Sequence, residues 1–132
     1  ERFLDFGRTA ARIDDAANYL PARLTALLMA LSSCLPPCRR QSARTLRNEL
    51  LFIRDFGRKH ASPNSGYPEA ALAGILDCRF GGPHHYFGEY CFKPYIGKNE
   101  RALTTADMRL AVTIIRYAEA MMILGGIILY IL

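Results

Sequence analysis

Hydrophobic positions along the chain concentrate in two stretches, with a mixed region between them. The first covers residues 19–35 and carries one charge, Arg23. Its uncharged part, residues 24–38, is 15 residues long. The second covers residues 120–132, is 13 residues long and carries no charge. A helix that crosses a bilayer needs about 20 apolar residues. Both stretches fall short on a strict count. The Arg23 side chain can snorkel and lengthen the first; Tyr117 and Glu119, placed at an interface, lengthen the second to about residue 118. By pattern alone, membrane spans and buried helices of a soluble protein fit equally well.

The remaining pattern predicts helices and no strand. Residues 9–31 read as one helix bent at Pro21, because proline lacks a backbone donor and crowds the preceding turn. Pro36 and Pro37 end it. Residues 39–58 read as a second helix, with Leu46, Leu50, Ile53 and Gly57 on one face and Arg40, Arg44, Arg47 and Arg58 largely elsewhere. Residues 62–66 form a turn. Pro68 suits a first helical position and Glu69 a first turn, and Gly81 and Gly82 stop that helix near residues 77–80. Residues 82–97 read as an aromatic loop. Thr104 or Thr105 caps a last helix starting at Ala106. The expected class is all-α.

Composition narrows the picture. At 132 residues the chain holds one domain at most. With 51% hydrophobic residues it is not a disordered tail, and four cysteines are too few for a disulfide miniprotein. The mean hydropathy, +0.04, is high for a soluble protein and low for a pure membrane bundle. The net charge of +5 sits wholly in residues 39–60, where seven Arg or Lys face two acids. No nucleic-acid motif accompanies that charge, so no nucleic-acid partner is expected. The chain begins at Glu1 without Met and ends inside an apolar run, so it is expected to be the C-terminal piece of something longer.

Three constellations carry candidate chemistry. Asp14 and Asn18, four apart, share a helix face with Asp15 beside them. Such oxygen ligands suit Mg²⁺, which keeps waters and bridges to phosphate; two acids also simply suit a helix start near Arg8 and Arg12. Next, Ser62-Pro-Asn-Ser-Gly-Tyr-Pro-Glu69 fixes an unusual backbone path into a helix N-terminus, where free donors favour an anion. It presents Asn64 and Glu69, or is a plain turn and cap. Finally, Arg79-Phe-Gly-Gly-Pro-His-His-Tyr-Phe-Gly-Glu89 has glycines that let backbone approach a ligand and aromatics that can pack on a flat ring system. It is not a Walker loop. His84 and His85 with Cys78 and Cys91 do not have zinc-finger spacing. Cys34, Cys38 and the methionines of the apolar stretches read as packing residues.

Four segments together resemble a known family. They are Phe6-Gly-Arg-Thr-Ala-Ala-Arg-Ile-Asp-Asp-Ala-Ala-Asn-Tyr-Leu-Pro-Ala-Arg-Leu-Thr-Ala26, Ser62-Pro-Asn-Ser-Gly-Tyr-Pro-Glu-Ala-Ala-Leu-Ala-Gly74, Gly81-Gly-Pro-His-His-Tyr-Phe-Gly-Glu89 and Lys93-Pro-Tyr-Ile-Gly97. In this order they resemble the CobD/CbiB family of cobalamin biosynthesis proteins, the adenosylcobinamide-phosphate synthases, over the C-terminal part of its longer members. Tyr67 stands where a tryptophan is usual, and His84-His85 where Asn-Tyr is more frequent. Residues 34–44 show no clear match.

The resemblance implies a polytopic helical protein of the inner (cytoplasmic) membrane. Residues 1–132 would form one C-terminal portion, with spans at about 19–35 and 118–132 and a motif-bearing connection at 36–117. The implied reaction joins adenosylcobyric acid to aminopropanol, or its phosphate, by an amide bond. Amide formation in water needs activation, so ATP and Mg²⁺ are expected. Asp14, Asp15 and Asn18 would hold Mg²⁺. Arg23 and Lys93 would neutralise phosphate, and Asp15, Asn64 and Glu69 would form the catalytic set, Glu69 as base or amine-binding group. Gly66 would contact substrate; Gly81, Gly82, Tyr86 and Gly88 would line the corrin side. The expected partners are the corrinoid, the amine, the bilayer and other cobalamin biosynthesis enzymes. The alternatives are a non-enzymatic membrane scaffold for such enzymes and a soluble helical binding module.

Overall fold

The structure, a computed structural model, describes residues 4–40 and 44–132; Leu4, Asp5, Phe6, Arg40 and Tyr86 are described by backbone alone. Among these residues the order is α1 Leu4–Ala17, α2 Tyr19–Ser32, a 3-10 turn Cys38–Arg40, α3 Leu46–Phe56, α4 Gly66–Leu76, β1 Arg79–Tyr86, β2 Glu89–Gly97 and α5 Thr105–Ile131.

Helix α4 is the centre. Its sequence is small and apolar, and Gly66, Ala70, Ala71, Ala73, Gly74, Ile75 and Leu76 are buried. A helix apolar all round must be covered all round. Ala26, Met29 and Ala30 of α2, Ile53 of α3, and Leu110, Ile114 and Ala118 of α5 form one core with Ala71 and Ile75. A second cluster joins Phe52 and Phe56 of α3 to Ala70, Ala73 and Ile96. The two phenylalanine rings stack at 4.4 Å. Phe80 touches both clusters and seats the base of the hairpin on α4. Each fully buried isoleucine (Ile75, Ile96, Ile114) contributes about 1.5–3 kcal/mol.

The hairpin corrects the all-α expectation and the aromatic loop at 82–97. β1 and β2 pair antiparallel from Arg79↔Gly97 to Tyr86↔Glu89, with a bulge between Phe80 and Gly82. Phe87 and Gly88 both take positive φ, 51° and 83°. That is the two-residue turn whose twist matches antiparallel strands. Pro83 and Pro94 are tolerated because each strand of a two-stranded sheet has a free edge.

Several boundaries move for local reasons. The expected bend at Pro21 falls one turn earlier, at Asn18 between α1 and α2. Pro21 has no N–H to give the Ala17 carbonyl, so the ladder opens there. The expected helix over 39–58 begins only at Leu46, after Thr45 in extended conformation; residues 41–43 lie outside the described residues. Its buried face is Glu49, Phe52, Ile53 and Phe56, whereas Leu50 is exposed. Helix α4 stops at Leu76, not at Gly81-Gly82. Asp77 turns left-handed (φ 48°), and the N–H groups of Asp77 and Cys78 return to the carbonyls of Gly74 and Ala73. Cations then close the helix end: Arg44 donates to the Gly74 carbonyl and Arg101 to those of Leu76 and Asp77.

Thr104 caps α5 through a reciprocal box with Asp107. Helix α5 has 27 residues and at about 1.5 Å per residue reaches about 40 Å. It is long and apolar enough to cross a membrane, with a mean hydropathy of 1.7 over its best window. Its last turns expose Ile123, Leu124, Ile127, Ile128, Leu129 and Ile131. The expected span at 118–132 is therefore the end of a helix that starts at Thr105. Over the expected span at 19–35 the structure places α2, which has 14 residues, about 21 Å, and packs one side on α4 and α5.

Candidate functional site

The loop between α3 and α4 is folded by its own polar side chains. His60 Nδ1 accepts the Ser62 N–H at 2.9 Å. The Ser62 hydroxyl accepts the N–H groups of Asn64 and Ser65. This turns the Asn64 side chain inward, where it is only 6% exposed. Both ends of its amide are used: Nδ2 donates to the Asp15 carbonyl at 2.8 Å, and Oδ1 accepts from Arg23 at 3.2 Å. One asparagine thus ties the end of α1, the start of α2 and the entry to α4 together.

Arg23 is the hub. Its guanidinium lies 3.4 Å from the Tyr19 ring centre and 4.2 Å from that of Tyr67. It also donates to the Tyr19 carbonyl at 2.6 Å and, at 3.5 Å, to that of Pro63. A planar cation suits such stacking. Among the described residues it has no carboxylate within ion-pair distance, so its charge stays available to an anion. A hydrogen bond from Arg58, helped by the charges of Arg23 and Arg58, holds the Tyr67 phenol below its usual pKa although burial opposes the shift. Glu69 stands in the first turn of α4, half exposed, 3.9 Å from His60 Nε2. Gly66 is a packing residue here: a Cβ would strike the Gly57 carbonyl and His60.

Asp14 and Asn18 meet on the exposed side of α1, where Asn18 Nδ2 donates to Asp14 Oδ1 at 2.9 Å. Asp15 enters the centre through its backbone carbonyl and is half-buried. Among the described residues no three His, Cys, Asp or Glu side chains converge as a metal cage. The donor set of Asp14 and Asp15 is the sparse oxygen type that Mg²⁺ accepts when water and phosphate complete its shell.

The hairpin places the other expected residues. Its register puts Gly82, His84 and Tyr86 across from Lys93, Cys91 and Glu89, all on one face. Five residues (His84, Glu89, Tyr90, Cys91, Lys93) line a cleft of about 450 Å³. Gly81 and Gly82 take φ of 88° and 93°. A Cβ on Gly81 would strike the Pro94 carbonyl, and one on Gly82 the Tyr95 ring. Gly88 forms the open turn. For Tyr86 only the strand position is described.

Sequence reasoning passed over Tyr19, Arg58, His60 and Glu49. Tyr19 had a signal, since it lies four residues before Arg23 on the same helix face. Glu49 also had one: it lies on the apolar stripe of α3. It is fully buried against Gly74, and among the described residues neither carboxyl oxygen has a hydrogen-bond partner. Burial pushes its pKa up to about 8, with the Arg44 charge opposing.

Comparison with known proteins bears on these segments directly. The family model described as CobD/Cbib protein matches residues 1–115. The chain belongs to the CobD/CbiB family. Within the family, the cobalamin biosynthesis protein CobD of Desulfotalea psychrophila is 46% identical over 117 residues, covering 89% of this chain and 34% of that protein. CobD of Geobacter metallireducens is 44% identical over 124 residues, covering 94% of this chain and 37% of the relative. The cobalamin biosynthesis protein CbiB of Salmonella typhi is 39% identical over 121 residues, with 92% and 36% covered. The chain thus spans about a third of the length of these CobD/CbiB relatives. No solved structure matches it.

Proposed function

We propose that the chain is a portion of a cobalamin-biosynthesis enzyme of the cytoplasmic membrane that joins adenosylcobyric acid to aminopropanol, or its phosphate, through an amide bond. The observation that carries this reading is the CobD/CbiB match over residues 1–115. Inside that match, segments around Asp15, Arg23 and Asn64, up to 49 residues apart in sequence, close on one centre. Helix α5 supports the membrane assignment, and the basic segment 39–60 favours the cytoplasmic side by the positive-inside rule.

An amide does not form from a carboxylate and an ammonium in water without activation, and ATP supplies that activation in this reading. Arg23, stacked and with no carboxylate partner among the described residues, binds an anionic oxygen of phosphate or of the corrin carboxylate. Asn64 positions Arg23 and the Asp15 backbone. Glu69, beside His60, takes the proton that the ammonium must lose before attack. Asp14 and Asp15 with Asn18 would hold Mg²⁺, which when bound would supply charge neutralisation at phosphate. Lys93 and the hairpin face meet the corrin side.

Mass spectrometry tests the proposal. Membranes carrying the full-length chain, from a host lacking the native enzyme, receive adenosylcobyric acid, aminopropanol phosphate, ATP and Mg²⁺. The expected product is heavier by the amine minus water, and omission of ATP abolishes it. Asp15→Ala is expected to abolish product at unchanged protein level, and retained activity sinks the metal role. No product with either free or phosphorylated amine transfers the weight to a scaffold role.

A further inference from the structure

The hairpin carries a histidine prepared to bind a metal, yet among the described residues it belongs to no group of three or more His, Cys, Asp or Glu side chains that could hold a free ion. His84 is half-buried in the cleft with Glu89, Tyr90, Cys91 and Lys93. Its Nδ1 lies 3.2 Å from the Gly82 carbonyl oxygen. A carbonyl only accepts, so Nδ1 carries a proton, and in the neutral ring Nε2 then keeps its lone pair. That is the arrangement by which proteins fix the tautomer of a ligating imidazole. The carbonyl is itself held in place. Gly82 is buried at φ 93° under the Tyr95 ring, in a position no side chain fits. His85 points to the other face, edge-on to Tyr90 at 5.9 Å.

A free transition-metal ion requires three or four protein ligands, and no such set exists among the described residues. A metal that arrives inside a macrocycle has its equatorial positions filled and needs only one axial donor. We infer that His84 Nε2 is the axial ligand to the cobalt of a corrinoid seated against the hairpin face. This inference rests on the corrinoid reading given above and deepens it. Lys93 and Glu89, at the rim of the same cleft, meet the carboxylate and amide side chains at the ring edge. Imidazole displaces the water on the lower cobalt face; no electron moves and no other bond changes.

The test is electron paramagnetic resonance of the cobalt(II) form of cobyric acid bound to the full-length chain in detergent. A nitrogen donor on the axis splits each cobalt line into a triplet, and water does not. The wild type and the His85→Gln and His60→Gln variants are expected to show the triplet. His84→Gln is expected to lose it. Growth on histidine labelled with the heavier nitrogen isotope should turn the triplet into a doublet, which identifies histidine even where His84→Gln binds poorly. Bound corrinoid with unsplit lines in the wild type overturns the ligation and leaves the corrinoid reading standing. A triplet that persists in His84→Gln overturns it as well. Absence of any bound corrinoid in the wild type overturns both.

Discussion

Glu49→Gln isolates the least comfortable group in the fold. The carboxyl sits between α3 and α4 with no exposed surface and, among the described residues, no hydrogen-bond partner for either oxygen. Arg44, the cation beside it, is already engaged with the Gly74 carbonyl and Asp77. Burial therefore dominates and lifts the pKa from 4.5 to about 8. At 1.36 kcal/mol per tenfold change in acidity, that displacement corresponds to about 5 kcal/mol between the two protonation states. The folded chain holds this proton more tightly than the unfolded chain. Between about pH 4.5 and 8 the unfolded state binds fewer protons, so stability falls as pH rises through that window and levels off above it. Glutamine imitates the neutral acid and does not titrate. The two proteins should be nearly equal at about pH 4.5, and the variant should be more stable by up to about 5 kcal/mol above pH 8. Unfolding in detergent micelles, followed by circular dichroism across that range, reads the difference curve and cancels the other titrating groups. Parallel curves, or a wild type that gains on the variant as pH rises, would refute the reasoning.

Other predictions follow from single contacts. Arg23→Lys keeps the charge but loses the plane that stacks between Tyr19 and Tyr67; with cation–π contacts worth about 0.5–2 kcal/mol each, product formation should fall roughly tenfold or more at unchanged expression. Gly74→Ala drives a Cβ into the Glu49 carboxyl and should destabilise the chain by about 1–3 kcal/mol in the same unfolding assay. Thr104→Ala removes the box that caps α5 and should cost about 1 kcal/mol. Asp107 is held well below the usual carboxylate range by its hydrogen bonds to Arg101 and then Thr104. Its contribution is present above the ordinary aspartate pKa and is lost as pH falls through the lower folded value; Asp107→Asn should remove this loss from an acid unfolding series.

Much of the helical architecture was legible in the residues. Pro21 announced the break before α2, displaced by one turn because the missing donor is felt at Ala17. Thr104, one of two candidate caps, announced the start of α5. The hairpin was not legible, since residues 82–97 carry the pattern of an aromatic loop. A turn built on Phe87 with positive φ has no strong sequence mark, and proline within a strand weakens its pattern. The end of α4 was misread for a similar reason. Asp77 takes the left-handed turn usually given to glycine, and Arg44, Arg101 and Asn99, all distant in sequence, hold it there.

The sequence by itself determined the family, the apolar reach of α5, the basic segment and the residues that carry the candidate chemistry. These depend on local order and composition, which survive without coordinates. Only the tertiary structure decided which of those residues meet. Asn64 reaches Asp15 and Arg23 across 49 and 41 positions, and strand register alone set His84 and Lys93 on one face. Such meetings come from packing three helices and a hairpin around α4. Contacts between distant residues leave no periodicity along the chain, so no reading of spacing could reveal them.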